Sequence, residues 1–402
     1  MKVYFQEDTP HAHYRCVEIA AAGQRLILDP CLPAGAMTTA RAIADCASLP
    51  IGVLSANPGP TLLTVLATLN VDVPLLIGPG AHAVLEHAAE WHGKSRISRR
   101  PVVWWRHRMP VRIGPFIVTP FLADHSANDS FDLLIEAEGR RLFYCGNIRH
   151  LGRNPVLFEA LLRYPPTDVD VLLIDGHRLP PNHAATHSEV DAEIAYLRCL
   201  RRAEGLSLIW MPSLDVDRLI TVCRAVRRSN KRLIMDAYTA ELLRVTGEHS
   251  LTCGMLGSEA VIHVPRRLLA WRHAVARRGF TTRCVAFGQV SALRENVVLL
   301  NPSMLGELDE LEPAPGMQIL RSALGCRHVD PVSHVVGTWI ARRSIPVHEV
   351  PSPALPLAGE LNRLVAALAP RRLICRHTGC RACQAPAFVG AERRPAGEWW
   401  SV

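Results

Sequence analysis

Long apolar runs are absent from this sequence of 402 residues. No uncharged apolar stretch reaches the roughly 18 residues that a membrane-spanning helix needs. Residues 1–8 become acidic too early for a secretory signal peptide. The content of 49% hydrophobic and 20% charged residues is sufficient for a globular core. We therefore expect a cytoplasmic protein with no membrane partner.

Lysine is almost missing as well: three lysines stand among 45 basic residues, and the formal net charge is +8. A basic, arginine-rich surface attracts phosphate backbones, which makes RNA or DNA one predicted partner. The same arginine bias follows from coding pressure in a GC-rich genome, so composition leaves this partner open. A protein partner with an acidic surface is the other prediction, and the sequence does not give the oligomeric state.

A disulfide framework is also missing, because most of the twelve cysteines are scattered singly through apolar segments. The exception is a cluster within nine residues, formed by Cys375, His377, Cys380 and Cys383. A Cys-x-x-Cys pair with a nearby cysteine and histidine matches the ligand set of a structural zinc site. Four ligands this close together strain a tetrahedron, so reduced or redox-active thiols on a C-terminal tail are the competing interpretation.

Strand-like and helix-like segments alternate along the chain. A β-hairpin is predicted up to Asp29, and further strands and helices follow, which favours an α/β sandwich. From about Leu206 a strand–helix–strand–helix pattern indicates an inserted parallel α/β domain. We predict a core domain that begins with residues 1–204, an inserted domain at 205–345, and a return to the core with a cysteine-rich tail at 346–402.

Short polar motifs lie where the predicted strands end. They are Asp29, Asp124-His125-Ser126, Gly146-Asn147-Ile148-Arg149, Ile174-Asp175-Gly176-His177 and Arg376-His377-Thr378. In this order they resemble the motifs of the metallo-β-lactamase fold, specifically its β-CASP, ribonuclease J-like branch. The resemblance covers most of the chain and implies an αββα sandwich with an inserted β-CASP parallel α/β domain. Members of that branch are nucleic-acid-processing, metal-dependent hydrolases.

The histidines that this resemblance implies are missing from residues 55–61. The family carries Ser-His-x-His-x-Asp-His there, whereas this sequence reads Ser-Ala-Asn-Pro-Gly-Pro-Thr. Asn147 stands in place of the bridging aspartate, and the family's late histidine is absent near Leu355. Two zinc ions need about five or six ligands to generate a hydroxide, so we expect no cofactor at the ancestral site.

Five positions of the ancestral cleft remain recognisable, and we assign a catalytic role to none of them: Asp29, His125, Asn147, Asp175 and His377. His125 and His377 are single ligands on separate segments. Asp29 and Asp175 stand at strand ends, where aspartate commonly caps a helix or stabilises a turn. His13 is a further candidate that would rebuild a metal site with His125, although an exposed N-terminal turn is the simpler interpretation.

Basic and aromatic residues alternate in Trp104-Trp105-Arg106-His107-Arg108. Such a segment stacks on bases and pairs with phosphates, so Trp104, Trp105, Arg106 and Arg108 are nucleic-acid candidates. The alternative is an edge strand whose tryptophans pack inward while its arginines face water.

The fold motifs are recognisable but the metal ligands are missing. Together they predict a pseudoenzyme that acts as a nucleic-acid-binding or protein-partner subunit. One alternative is an active metal-dependent hydrolase, a ribonuclease-like phosphodiesterase with a rearranged or mononuclear site around His125, His377 and His13. The other is a purely structural scaffold subunit. Metal content and the salt dependence of nucleic-acid binding separate these hypotheses.

Overall fold

The computed structural model describes residues 1–5, 16–30, 49–58, 62–91, 99–146, 149–175, 187–212, 215–248, 261–263, 293–309, 315–322, 331–351, 358–376 and 391–402. They form a mixed α/β protein with three β-sheets. The chain divides into two compact units, Met1–Thr186 with Pro353–Val402, and His187–Ser352. None of the described helices has both the length and the apolar composition required to span a bilayer.

The first sheet of the first unit contains seven strands. They are β1 (Lys2–Phe5), β2 (Val17–Ala21), β3 (Gln24–Leu28), β4 (Gly52–Leu54), β5 (Leu75–Ile77), β6 (Val102–Trp104) and β20 (Trp399–Ser401), in the order β20-β1-β2-β3-β4-β5-β6. β2 and β3 form the predicted hairpin. Its two turn residues, Ala22 and Gly23, both have positive φ, as the type I′ turn of a tight hairpin requires. Helices α1 (Leu62–Thr68) and α2 (Pro79–Trp91) make the crossovers between parallel strands β4, β5 and β6.

The second sheet of this unit also contains seven strands. They are β7 (Val111–Ile113), β8 (Phe116–Leu122), β9 (Phe131–Ala137), β10 (Arg140–Cys145), β11 (Val171–Asp175), β18 (Arg372–Arg376) and β19 (Ala391–Arg393). Their order is β19-β18-β11-β10-β9-β8-β7. Strands β7 to β10 pair in antiparallel fashion, whereas β10, β11, β18 and β19 are parallel.

Two of the apolar layers in the described part of the first unit involve the second sheet. One lies between the two sheets, and the other lies between the second sheet and helices α3 (Pro155–Arg163) and α9 (Ala358–Leu368). β9 serves both layers, since Leu133 and Ile135 belong to the first and Leu134 to the second. This alternation is the period of two expected for a strand that is buried on both faces.

The second unit contains one sheet of six parallel strands. They are β12 (Ser207–Trp210), β13 (Arg232–Asp236), β14 (Val261–His263), β15 (Asn296–Leu299), β16 (Gln318–Ser322) and β17 (Val347–Val350), in the order β14-β13-β15-β12-β16-β17. The described helices are α4 (Glu189–Arg202), α5 (Val216–Arg228), α6 (Ala237–Glu248), α7 (Leu305–Leu308) and α8 (Pro331–Ala341). Parallel strands need crossover connections and are buried on both faces, which explains the continuous apolar runs in β12 and β13.

The second unit extends beyond residues 205–345 at both ends. Before residue 205, helix α4 packs on α5 through a buried ion pair between Glu189 and Arg218, with 3.2 Å between the charged atoms. Thr221 Oγ1 donates a hydrogen bond to the same carboxylate. After residue 345, β17 pairs with β16. The sequence pattern did not place α4 in this unit because the partner of Glu189 lies 29 positions further along the chain.

Candidate functional site

The candidate site lies where β3, β4, β8 and β10 end. β3 and β4 are parallel, with Leu28 opposite Leu54, so these two strands end side by side. The Asp29 amide donates to the Leu54 carbonyl (2.9 Å), and the Phe131 amide donates to the Ala56 carbonyl (2.9 Å). The second bond joins the loop after β4, in the first sheet, to β9 in the second. This loop is therefore held between the ends of the two sheets.

Asp29 fastens the loop after β4 through its carboxylate. Its Oδ1 accepts hydrogen bonds from the backbone amides of Ala56 (2.7 Å) and Asn57 (2.9 Å). Its Oδ2 accepts from the Tyr144 hydroxyl (3.0 Å) and the Asn57 side-chain amide (3.4 Å). Asp29 has a left-handed backbone (φ 43°), which aspartate tolerates better than most residues. The four donors occupy the lone pairs that a metal ion would need.

Burial raises the pKa of two carboxyl groups in this region, those of Asp29 and Asp132. Desolvation raises the pKa of Asp29 to about 6, while its hydrogen-bond donors limit the rise. Desolvation also raises the pKa of Asp132, on β9, to about 7; the hydrogen-bonded Cys145 thiol opposes this rise, and the charge of Asp29 adds to it. The pKa of Cys145 is raised well above its usual value by burial and by Asp132, so the thiol stays neutral.

Ala56 and Asn57 stand where the resembling family begins its histidine motif. Ala56 is completely buried in the apolar layer between the sheets. The Asn57 amide nitrogen lies against Gly146, where an added Cβ atom would approach it to 2.6 Å. The space at the end of β4 is therefore filled by apolar packing and by an amide. A neutral amide is a poor zinc ligand.

His125 lies at the end of β8 with its ring held by the loop that follows. The Ala127 amide donates to His125 Nδ1 (2.9 Å), and Ser130 Oγ lies 3.3 Å from the same atom. Because an amide nitrogen only donates, the proton of the neutral ring is on Nε2. A histidine that binds a metal usually donates a hydrogen bond from its other nitrogen. In His125 that nitrogen is an acceptor, so Nε2 presents an N–H group.

Asp124, next to His125, forms hydrogen bonds with the loop before α3. Its carboxylate accepts hydrogen bonds from the amides of Gly152 (2.9 Å) and Asn154 (3.2 Å). A Cβ atom on Gly152 would lie 2.2 Å from that carboxylate, so only glycine permits this approach. Asp124 is buried, and its role in this arrangement is to hold the loop.

The basic and aromatic segment after β6 divides between the core and the surface. Trp105 is 1% exposed and donates from Nε1 to the Ser55 carbonyl (3.3 Å), so its ring packs inward, as in the edge-strand alternative. Trp104 is 55% exposed, and its ring lies 6.4 Å from the His82 ring of α2. Arg106 and Arg108 are exposed in the turn that follows. The two tryptophans differ because successive strand residues point to opposite faces.

Several predicted residues lie outside the described part of the chain. These are His13, Asn147, His377, Cys380 and Cys383, and the side chain of Asp175 at the end of β11 is likewise not described. Cys375 is buried in the layer between the second sheet and helices α3 and α9. The structure therefore tests neither the C-terminal cysteine–histidine cluster nor the pairing of His13 with His125.

The described residues do not fit the dinuclear zinc centre that the resemblance implies. Ala56 has no ligand atom in its side chain, Asn57 offers only a neutral amide, and His125 presents an N–H group. Within the described ranges, no three His, Cys, Asp or Glu side chains form a group able to hold a metal ion.

Sequence reasoning missed three residues of this region. Tyr144 completes the shell around Asp29 from 115 positions away, and no local pattern indicates that pairing. Asp132 could have been identified from the sequence, because it is a charged residue inside the apolar strand Phe131–Ala137. Tyr164, at the end of α3, accepts a hydrogen bond from Arg108 at its carbonyl oxygen. No sequence motif distinguishes this residue.

Comparison with known proteins identifies a shared fold. No family model matches the sequence, and no curated protein is significantly similar to it. Among solved structures, the chain is similar to a protein of unknown function from Enterococcus faecalis V583, with a TM-score of 0.69 and 14% identical residues. The match covers 99% of each chain. The two proteins share a fold over almost their whole length, and the likeness assigns no function.

Proposed function

We propose that this chain is a non-hydrolytic protein of the metallo-β-lactamase fold, with an inserted β-CASP-like domain, that acts as a nucleic-acid-binding subunit. The architecture supports the fold: two sheets pack face to face, helices cover the second sheet, and a parallel α/β unit interrupts the first unit. The order of the polar motifs at the strand ends supports the same assignment.

One observation carries the loss of hydrolysis. The resembling hydrolases place metal ligands on the loop after β4, whereas here this loop gives its amides to Asp29 and buries Ala56. Without a bound metal ion, water near this site has its ordinary acidity and is a weak nucleophile at neutral pH. Among the described residues of this site, Asn57 and the Nε2–H of His125 are donors that suit a phosphate oxygen and do not activate water.

Charge and surface chemistry support the nucleic-acid partner. The chain carries a formal charge of +8. Trp104, Arg106 and Arg108 lie exposed on the first unit and combine an aromatic ring with guanidinium groups. This combination provides stacking for bases and charge for phosphates.

Metal content is the decisive test of the lost active site. Protein purified without added zinc is expected to hold no zinc that depends on His125, and to leave single-stranded RNA intact when zinc or manganese is added. His107→Ala is the matched control for His125→Ala, because His107 also accepts a backbone hydrogen bond at Nδ1, from Leu122. About two equivalents of zinc that disappear only in His125→Ala would overturn the proposal.

Zinc content of the variants and the salt dependence of RNA binding give two further outcomes. About one equivalent of zinc that survives His125→Ala but is lost in Cys380→Ala would identify the C-terminal cluster as a structural zinc site and leave the proposal intact. Binding of RNA that is absent or independent of salt would remove the nucleic-acid partner and favour the protein-partner subunit, because phosphate contacts release counterions.

A further inference from the structure

Several arginines of the first unit form ion pairs. Examples are Arg25 with Glu18, Arg140 with Asp170, Arg363 with Glu159, and Arg372 with Glu392. Five exposed arginines form no ion pair with any described residue: Arg99, Arg106, Arg108, Arg112 and Arg163. Their charge is therefore not neutralised within that part of the protein.

Two of these arginines, Arg108 and Arg163, contact the exposed residue Tyr164, and Arg106 lies in the same turn as Arg108. Arg108 Nη2 donates to the Tyr164 carbonyl, which belongs to the carboxyl end of α3, where helix carbonyls lack partners in the helix. The Arg163 guanidinium carbon lies 5.4 Å from the Tyr164 ring centroid. Tyr164 is 57% exposed. The turn after β6 and the end of α3 thus form one surface, which we call the Tyr164 surface: Arg106, Arg108, Arg163 and Tyr164.

The turn that carries Arg106 and Arg108 is held in place from below. The Arg108 amide donates to the Pro120 carbonyl (2.7 Å), and His107 Nδ1 accepts from the Leu122 amide (3.0 Å). The Arg108 guanidinium carbon lies 5.1 Å above the Phe121 ring. These contacts fix the backbone of the turn and the Arg108 side chain against β8 before any partner binds. A preformed surface loses less conformational entropy on binding.

We propose that the Tyr164 surface binds a single-stranded nucleic acid, with a base stacked on Tyr164 and phosphates beside Arg106 and Arg163. This inference rests on the proposed nucleic-acid role and gives it a location outside the former metal site. An exposed ring flanked by guanidinium groups matches bases and phosphates together. In a duplex the base faces are covered by neighbouring pairs, so a single strand is the form that uses Tyr164.

The test measures binding of the full-length protein to a labelled oligouridine of about 12 nucleotides by fluorescence anisotropy. Tyr164→Leu is expected to weaken binding about tenfold through the loss of stacking, whereas Tyr164→Phe keeps the ring and the affinity. The double variant Arg106→Gln/Arg163→Gln is expected to weaken the salt dependence of binding. The plot of log K against log salt concentration becomes less steep by about 1.4, as for two lost phosphate contacts. Arg108 is left unchanged because it caps α3.

The matched control is Arg198→Gln/Arg227→Gln, which removes the same charge from exposed arginines of the second unit. This variant is expected to bind like the wild type, and thermal unfolding of each variant checks that the fold is intact. Equal binding by the wild type and both Tyr164-surface variants would overturn the location while leaving the nucleic-acid role standing. If the wild type does not bind the oligouridine, both the nucleic-acid role and its location on the Tyr164 surface are wrong. Equally tight, Tyr164-dependent binding of polyglutamate would overturn the single-strand assignment in favour of an acidic peptide.

Discussion

At the residue scale, Asp132 is the most unusual member of the candidate site. It stands in a strand whose other residues are almost all buried and apolar, and it is 6% exposed itself. Its hydrogen bond to the Cys145 thiol only partly offsets the loss of solvent, and Asp29 adds a second carboxyl group nearby. The charged form of Asp132 is therefore unfavourable in the folded protein, and this has a consequence for stability.

Asp132→Asn is expected to stabilise the protein near neutral pH and to change little in acid. Asp132 ionises near 3.8 in the unfolded chain, whereas its pKa in the folded protein is about 7. The stability contribution of the acid is therefore complete below pH 3.8 and is lost as the pH rises to about 7. Three pKa units correspond to about 4 kcal/mol, so a gain of roughly 2–4 kcal/mol is expected in urea unfolding at about pH 8.

Asp168→Asn is the matched control for this substitution. Asp168 is exposed and has a φ of 53°, a conformation that asparagine accepts. Its effect is expected to be small because the side chain is exposed. If Asp132→Asn changed stability by the same amount in acid and at neutral pH, desolvation of this carboxyl group would not be the source of the effect.

At the scale of elements, polar contacts join helices α4 and α5 of the second unit. The side chains of Arg218 and Glu189 are 0% and 1% exposed. Arg218 Nη1 also donates to the Pro351 carbonyl (2.9 Å), and Thr221 donates to Glu189. A buried ion pair gives little net stability, but its loss on one side leaves an unpaired charge in the interior.

Arg218→Met is expected to lower the free energy of unfolding by about 3–5 kcal/mol, because Glu189 then remains buried without its partner. The double variant Arg218→Met/Glu189→Leu is expected to lose less than the sum of the two single variants, since neither charge remains. Urea unfolding of the four proteins in this cycle measures the coupling. Additive losses would show that the two side chains act independently.

Arg224→Met is a control on the same helix. Arg224 is half-exposed and shares Glu193 with Arg228, so Glu193 keeps one partner after the substitution. A loss below about 1 kcal/mol is expected, as for an exposed ion pair. A loss as large as that of Arg218→Met would assign both effects to general packing of α5.

At the scale of the whole molecule, local patterns predicted the elements better than the contacts between them. The hairpin before Asp29 follows from strand alternation around Ala22 and Gly23. In contrast, Arg108 and Tyr164 are 56 positions apart, and neither has a local signal that indicates the other. Hydrophobic periodicity reports which face of an element is buried, whereas the partner of a polar side chain depends on how distant elements pack.

The boundaries of the second unit lead to the last prediction, which concerns two fragments. Fragment 187–352 is expected to fold alone and unfold cooperatively, because it contains α4, β17 and every polar partner of Arg218 named above. Fragment 205–345 lacks α4, Pro351 and β17, so the face of α5 that packs on α4 would be exposed, Arg218 would lose Glu189, and β16 would lose a neighbour. Far-ultraviolet circular dichroism with urea unfolding compares the two fragments. Equal cooperativity in both would contradict this assignment, since α4 and β17 would then be dispensable to the second unit.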